Sequence, residues 1–407
     1  MTFNTEAEFE EALIRLLVDE KGWVDGVISY PTEEDLIQNW AKILYENNRT
    51  IDRLGDYPLT SGEMQQILDQ IRLLRTPLNL NGFINSGTVQ ITRDNDQDPF
   101  NFKKTISLKI FDRNEIAAGR TRYQIAQQPK FKTNNSIYST RRGDFCLLIN
   151  GMPVIHVELK KSGVAVSEAQ FQIQKYLDQG VFTGLFSLVQ FFVAMNPDEC
   201  TYFANPGSAD NFNQKFCFHW ADADNRRIDR WDQVAQYFLS IPMAHQMIGF
   251  YTVADKTAQN LKIMRSYQVN AAAGISAQVS SMKWDGKSIY GGYVWQTTGS
   301  GKTMTSFKAA QLVANSRDAD KVVFLMDRIE LGLQSLREYK GFSDDTDTVQ
   351  HTDSTDDLIT KLKSPDSNMT LIVTSIQKMS RIKDDGSNSS DIEEINRKRI
   401  VFIVDEC

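Results

Sequence analysis

The sequence predicts an α/β protein of two domains: a mixed sheet with flanking helices over residues 1 to 255, then a parallel, doubly wound sheet over residues 256 to 407. Three observations carry this reading. A chain of 407 residues is long enough for two sizeable cores. Asp144 to Lys160 reads as two apolar strands folded back through Asn150-Gly151, the strongest short hairpin signal in the chain. Beyond residue 260 strands and helices alternate, and Trp295 to Thr303 has the form of a strand, a glycine loop and a helix N-terminus.

The elements follow from periodicity. Phe9, Leu13, Leu16 and Leu17 recur at helical spacing within residues 6 to 19, and Glu10 shares an edge of that face with Ile14 and Leu17, which predicts it half-buried. Helices are also predicted over Glu33 to Asn47 and Ser61 to Leu74, and strands between Val89 and Phe111 around a polar loop. The strand after Asp144 is apolar on both faces, so it belongs inside a sheet. A helix over Val166 to Gln179, strands over Leu188 to Met195 and Cys200 to Phe203, and a helix over Trp231 to Met247 complete the first domain. In the second, a helix from Asn260 to Val279 precedes a strand at Tyr293 to Trp295. After the glycine loop come a helix over Met304 to Val313, strand Lys321 to Met326, helix Glu330 to Tyr339, and strands Met369 to Thr374 and Ile400 to Asp405. The polar stretches Ser343 to Asp357 and Lys383 to Asp391 read as surface loops.

Composition narrows the function classes. Hydrophobic and charged fractions of 41% and 24% are those of a soluble globular protein, no apolar run spans a membrane, and the acidic start is unlike a signal peptide; a cytoplasmic protein without membrane contact is expected. Cys146, Cys200, Cys217 and Cys407 form no C-x-x-C pair, which suggests neither a disulfide framework nor structural zinc. The net charge is -7, yet residues 103 to 142 hold ten Lys and Arg against two carboxylates. Such a segment could neutralise phosphates, or be a solvated face with acidic neighbours.

Two sets of residues carry chemistry. Glu158 and Lys160 are two apart on a strand and share a face, and the hairpin returns Asp144 beside them. Two carboxylates can hold Mg²⁺ against a phosphodiester while a lysine positions water, and an Asp followed by Glu-x-Lys is the pattern of PD-(D/E)xK nucleases. On the next helix Glu168, Gln172 and Tyr176 share a face, and Gln172 to Tyr176 spells Q-x-x-x-Y. Glu10 could add a further carboxylate. In the second set, the backbone of Thr298, Gly299, Ser300 and Gly301 would cradle a phosphate, with Lys302 on its oxygens and Thr303 on Mg²⁺. Gln296 stands where the general phosphate-loop pattern has Gly or Ala. Ile400 to Glu406 is an apolar strand ending in two acids: Asp405 for Mg²⁺ and Glu406 to orient the hydrolytic water. Gln268 opens a helix where an adenine-reading glutamine is expected, and Asp327, Arg328 and Thr374 to Gln377 lie at strand ends suited to a nucleic-acid backbone.

With these motifs in this order, the chain resembles the restriction (motor and nuclease) subunit of type I restriction-modification enzymes. The phrases that carry it are Asn150-Gly-Met-Pro, Glu158-Leu-Lys-Lys-Ser-Gly-Val-Ala165, Tyr202-Phe-Ala-Asn205, Gly291 to Thr303 and Phe402-Ile-Val-Asp-Glu-Cys407. The resemblance implies a PD-(D/E)xK nuclease-like domain followed by a RecA-like domain of a superfamily 2 translocase. It implies ATP and Mg²⁺ as cofactors, double-stranded DNA as substrate, and modification (methyltransferase) and specificity subunits as partners. It places metal-site roles on Asp144, Glu158 and Lys160, with Gln172 and Tyr176 beside them, and ATP roles on Gln268, Lys302, Thr303, Asp405 and Glu406. The family's acidic box continues to a histidine, whereas this chain stops at Cys407. A motor that is incomplete, and an ATPase impaired for lack of the opposing lobe, are therefore expected. Two other readings stay open: a non-catalytic DNA-binding or assembly fragment, and a helicase or remodeller with a relic nuclease.

Overall fold

The computed structural model describes residues 2–117, 119–134, 139–284, 291–326, 337–342, 349–366, 369–382 and 389–404. The chain divides into two compact units, one of residues 1–254 with 260–265 and one of residues 255–259 with 266–407.

The first unit opens with α1 (Glu6–Glu20), β1 (Val27–Ser29), α2 (Glu33–Asn47), α3 (Ser61–Leu74) and α4 (Pro77–Asn85). Three of these helices start for one local reason: Thr5, Thr32 and Thr60 each accept the backbone N–H three residues on, and Glu8, Asp35 and Glu63 answer from the helix. Each such pair satisfies two otherwise orphaned backbone donors. The chain continues through β2 (Thr88–Thr92), β3 (Thr105–Lys109), β4 (Tyr123–Gln127), β5 (Lys130–Lys132), β6 (Thr140–Arg142), β7 (Phe145–Ile149), β8 (Met152–Leu159), α5 (Val166–Asp178), β9 (Phe191–Asn196) and β10 (Glu199–Ala204). It closes with α6 (Trp231–Tyr237), α7 (Met243–Gln246), β11 (Thr252–Asp255) and β12 (Asn260–Ile263).

Its main sheet has six strands in the order β1-β4-β7-β8-β9-β10. It is mixed: β1 runs parallel to β4 and β8 parallel to β9, and the other neighbours are antiparallel. Every residue of β7, β8 and β9 is buried, which is what a strand apolar on both faces requires. The hairpin turn is the expected one, with Asn150 and Gly151 at φ 51° and 83°, the left-handed pair that matches the twist of its strands. Helix α5 is fixed to the sheet by Val166, Ala169 and Ile173 packing with Val189, Phe192, Ala194 and Phe203. Each large side chain so buried contributes about 1.5–3 kcal/mol.

The second unit contains α8 (Ser266–Ser280), α9 (Lys302–Ser316), β13 (Lys321–Met326), β14 (Val349–His351), α10 (Thr355–Lys363), β15 (Leu371–Ser375), α11 (Ile376–Ser380), α12 (Ser389–Asn396) and β16 (Ile400–Val404). Its four strands are all parallel, in the order β14-β15-β13-β16, as expected for a doubly wound sheet.

Several expectations are corrected. The helix predicted over residues 231 to 247 is interrupted at Pro242, which has no N–H for a helical ladder, leaving two short helices. Residues 260–263 form β12, paired with β11, and the helix begins only at Ser266. Tyr293 to Trp295 is not a strand: none of the described strands pairs with it, and Tyr293 and Trp295 are 90% and 87% exposed. A strand needs a neighbour to take its backbone hydrogen bonds, however apolar its side chains. The two polar stretches contribute β14, the start of α10 and the start of α12, although residues 343–348 and 383–388 lie outside the described residues. Thr374 is buried and accepts from the Thr352 hydroxyl at 2.8 Å, so it has no surface to offer a nucleic acid. Asp327 and Arg328 lie outside the described residues.

Candidate functional site

In register, Phe145 of β7 faces Val157 of β8, which puts Asp144 beside Glu158. One Asp144 carboxylate oxygen accepts the Leu159 N–H at 2.6 Å. Glu158 is 1% exposed; its Oε2 lies 3.2 Å from His156 Nε2, and its Oε1 has no hydrogen-bond partner among the described residues. Among the described residues, Lys160 Nζ pairs with Oε1 at 3.9 Å. Lys160 also reaches Glu6 Oε1 at 3.3 Å and donates to the Leu159 carbonyl at 2.9 Å. The expectation that Asp144, Glu158 and Lys160 converge thus has a direct geometric counterpart.

The electrostatics are those of carboxylates short of counter-charge. Burial pushes the Glu158 carboxyl up to about 8, with Lys160 opposing. Burial, then the Glu158 charge, holds Asp144 well above the usual range, although the Leu159 N–H and Lys160 pull it down. Burial also raises Glu10, against donation from Gln127 at 2.8 Å and from Gln128. Glu10 is 3% exposed, more deeply placed than the half-burial its helical spacing predicts, and its charge reaches both Asp144 and Glu158.

Gln172 and Tyr176 lie on α5 as expected. Gln172 donates to the Tyr176 hydroxyl at 2.8 Å, and that hydroxyl donates to the Arg142 carbonyl at 2.8 Å, two residues before Asp144. Glu168, Gln172 and Tyr176 line one cleft of about 590 Å³, together with Arg141, Arg142 and Lys175.

Sequence reading missed His156. It is wholly buried, its Nδ1 is 3.5 Å from Cys146 Sγ, and burial pulls its pKa down to about 4. A neutral imidazole carries one N–H. With that proton on Nε2 it donates to Glu158, leaving Nδ1 to accept from the Cys146 thiol. The available signal was its position, two residues before Glu158 and hence on the same strand face.

The basic stretch divides into two parts. Lys109 pairs with Asp112 and Glu115, and Arg122 with Asp25 and Glu46, as a solvated face with acidic neighbours would. Lys130 and Arg142 form no salt bridge among the described residues.

In the second unit the glycine loop is open to solvent at Thr298, Gly299 and Gly301 and leads into α9 at Lys302. Gly299 and Gly301 have φ of 79° and 87°, a backbone region that L side chains rarely adopt. Ser300 N–H donates to the Thr297 carbonyl at 3.2 Å. Tyr267 O–H donates to the Ser300 carbonyl at 2.6 Å, and the Gln268 amide to the carbonyls of Ser300 and Gly301 at 3.3 and 3.2 Å. Gln268 therefore meets the loop itself. Gln296 Nε2 donates to the Thr305 hydroxyl at 3.2 Å, bracing the loop across its base. Lys302 and Thr303 open α9. Asp405 and Glu406 lie outside the described residues.

Residues 3–211, more than half of the chain, match the family described as type I restriction enzyme R protein N terminus, and residues 267–407 match that of SWI2/SNF2 ATPases. The chain belongs to the type I restriction enzyme R protein family. A type I restriction enzyme endonuclease subunit of Staphylococcus saprophyticus is 33% identical over an alignment spanning all of this chain and 40% of the relative. One of Staphylococcus aureus strain COL is 32% identical with the same coverage, so the chain spans about two fifths of the length of these relatives. The C-terminal part of an endonuclease subunit described as putative in Mycoplasma pneumoniae is 35% identical, covering 46% of this chain and 91% of the relative. This R-family chain thus joins a mixed α/β unit holding buried carboxylates to an SNF2-like ATPase region with an all-parallel sheet. No described helix is long and apolar enough to cross a membrane.

Proposed function

We propose that residues 1 to 255 form a PD-(D/E)xK endonuclease domain acting on double-stranded DNA, and that residues 256 to 407 form a RecA-like lobe of an ATP-driven DNA translocase. The observation that carries the nuclease half is the buried Glu158 with the half-buried Asp144 beside it, one Glu158 oxygen lacking any hydrogen-bond partner among the described residues. A carboxylate left so is costly unless something arrives to neutralise it.

A divalent cation fits that need. Among the described residues no three His, Cys, Asp or Glu form a metal-binding group, and the proposal rests instead on the two carboxylates: Mg²⁺ commonly takes one or two and completes its shell with water and phosphate. Asp144 and Glu158 would hold it. Such an ion supplies charge neutralisation at a phosphodiester and acidifies water. The chain's own residues do the rest: Lys160 Nζ offsets charge developing on the phosphate and orients the attacking water, His156 holds the Glu158 carboxyl in place, and Tyr176 ties α5 to the backbone leading into Asp144. Glu10 adds negative charge to the same locality.

For the second half, the glycine loop at the start of α9 supports ATP binding, with Thr298 to Gly301 around the phosphates and Lys302 and Thr303 at their oxygens and Mg²⁺. Asp405 and Glu406 complete that reading from the sequence, and Gln268 joins it through the loop carbonyls. The partners proposed are DNA and the modification and specificity subunits, in the cytoplasm. The test is cleavage of circular DNA with Mg²⁺, with and without those subunits. Cutting by the unaltered chain that Glu158→Ala abolishes is expected; equal cutting by Glu158→Ala overturns the assignment.

A further inference from the structure

We propose that the cleft lined by Thr140, Arg141, Arg142, Gln172, Lys175 and Tyr176 holds the sugar-phosphate backbone of duplex DNA as it approaches Asp144 and Glu158. The inference rests on the nuclease reading of those carboxylates and adds the surface that presents substrate to them.

The cleft gathers exposed cations onto one surface, and that placement, not the lack of a salt bridge alone, sets them apart from Lys103 and Lys104, which also form none among the described residues. Lys109 and Arg122 have carboxylate partners, whereas Arg142 and Lys175 are exposed and form no salt bridge among the described residues. Arg142 sits directly opposite Lys130 in the β5–β6 ribbon. Like charges at directly opposed positions destabilise a strand pair, so this pairing does nothing for the fold and is relieved by an anion. The Arg142 guanidinium lies 5.2 Å over the Tyr30 ring, a contact that fixes its plane while leaving its N–H edge open. Arg141 is steadied by donation to Gln179 at 2.8 Å. Among the described residues, Glu168 is the one carboxylate on the lining.

Tyr176 links the cleft to the candidate carboxylates. Tyr176 lines it, bonds to the Arg142 carbonyl, and has its ring centre 6.1 Å from that of His156, the residue that contacts Glu158. A phosphate held by Arg142 is therefore two residues of chain from Asp144. The volume of about 590 Å³, open to solvent, suits a strand of backbone lying along a groove. Hydrogen-bond donors from arginine, lysine and threonine position a duplex without reading its sequence.

The experiment uses the 407-residue chain. Affinity for a fluorescein-labelled duplex is measured by anisotropy across a salt series, for the unaltered chain, for Arg142→Gln with Lys175→Gln, and for the charge-matched control Lys103→Gln with Lys104→Gln. All four side chains are exposed, so folding should be kept. The cleft pair is expected to weaken binding at least tenfold and to reduce the slope of log affinity against log salt by about 1.8, two contacts at about 0.9 each. The control should change neither. Equal behaviour of the two pairs overturns the proposal, as does weakening confined to a single-stranded oligonucleotide. Glu158→Gln is assayed for cleavage alongside: cutting that survives it refutes the nuclease reading and leaves the binding comparison interpretable.

Discussion

Replacing His156 by leucine removes the side-chain donor to Glu158 Oε2, at 3.2 Å, and leaves the carboxyl only the help of the Asp144 backbone, while Oε1 already lacks a hydrogen bond among the described residues. Leucine has a volume near that of histidine and keeps the packing against Phe131, Tyr176, Phe182 and Phe192. What is lost is a hydrogen bond to a charged or half-charged group, worth about 1.5–3 kcal/mol. At about 1.4 kcal/mol per factor of ten, the carboxyl should turn away from its productive orientation, or stay protonated, ten- to a hundredfold more often. That matches the usual loss when an outer partner of a metal-binding side chain is removed. The assay is calorimetric titration of the 407-residue chain with Mn²⁺ as a Mg²⁺ surrogate, with Glu158→Gln as the zero. His156→Leu should bind ten- to a hundredfold more weakly. His156→Gln, whose amide can place an N–H near the same point, should recover most of the affinity. A leucine variant binding within twofold of the unaltered chain would refute the reasoning, because the Glu158 carboxyl would then need no donor.

Three further outcomes are expected. Burial raises the Glu158 carboxyl to about 8 in the folded chain, so without metal its contribution to stability is full below about 4.5 and is lost as pH rises through about 8. Denaturant midpoints of the metal-free chain should fall over that window more than those of Glu158→Gln, and Mn²⁺ affinity should rise over it, because binding must displace the proton. Arg93→Leu leaves Glu63 and Asp98, which it meets at 2.6 and 3.0 Å with all three side chains buried, as uncompensated acids; a loss of about 3–5 kcal/mol is expected in urea unfolding. Gly301→Ala places a Cβ 2.5 Å from Gln268 Nε2 at a backbone φ of 87°. A cost of about 1–2 kcal/mol is expected at the loop, read as weaker binding of a fluorescent ATP analogue with no change in DNA cleavage.

Local signals were legible where one interaction decides the structure. The helical spacing of Phe9, Leu13, Leu16 and Leu17, the Asn150-Gly151 turn and the unbroken apolar strands all specify themselves within a few residues, and their elements lie where the sequence puts them. The hairpin in turn fixes Asp144 against Glu158, because register follows from the turn. Strand identity at Tyr293 to Trp295 was not legible, since a strand depends on its neighbour. Nor was the fate of the basic stretch: charge counts say nothing of which cations find Asp25, Glu46 or Glu115, and only the fold separates those from Lys130 and Arg142.

His156 was illegible for a related reason. A histidine in an apolar strand reads as core, and here it is core, ringed by aromatic side chains. Its role comes from the same burial. Removed from water, the imidazole is held neutral, so it can give a single N–H without adding charge, and the only acid on its strand face takes it. A lysine at that position would satisfy Glu158 more strongly and leave the carboxylate no demand for a cation. A neutral donor orients the carboxyl and leaves its charge deficit standing, which is the condition that the divalent ion proposed at Asp144 and Glu158 would require.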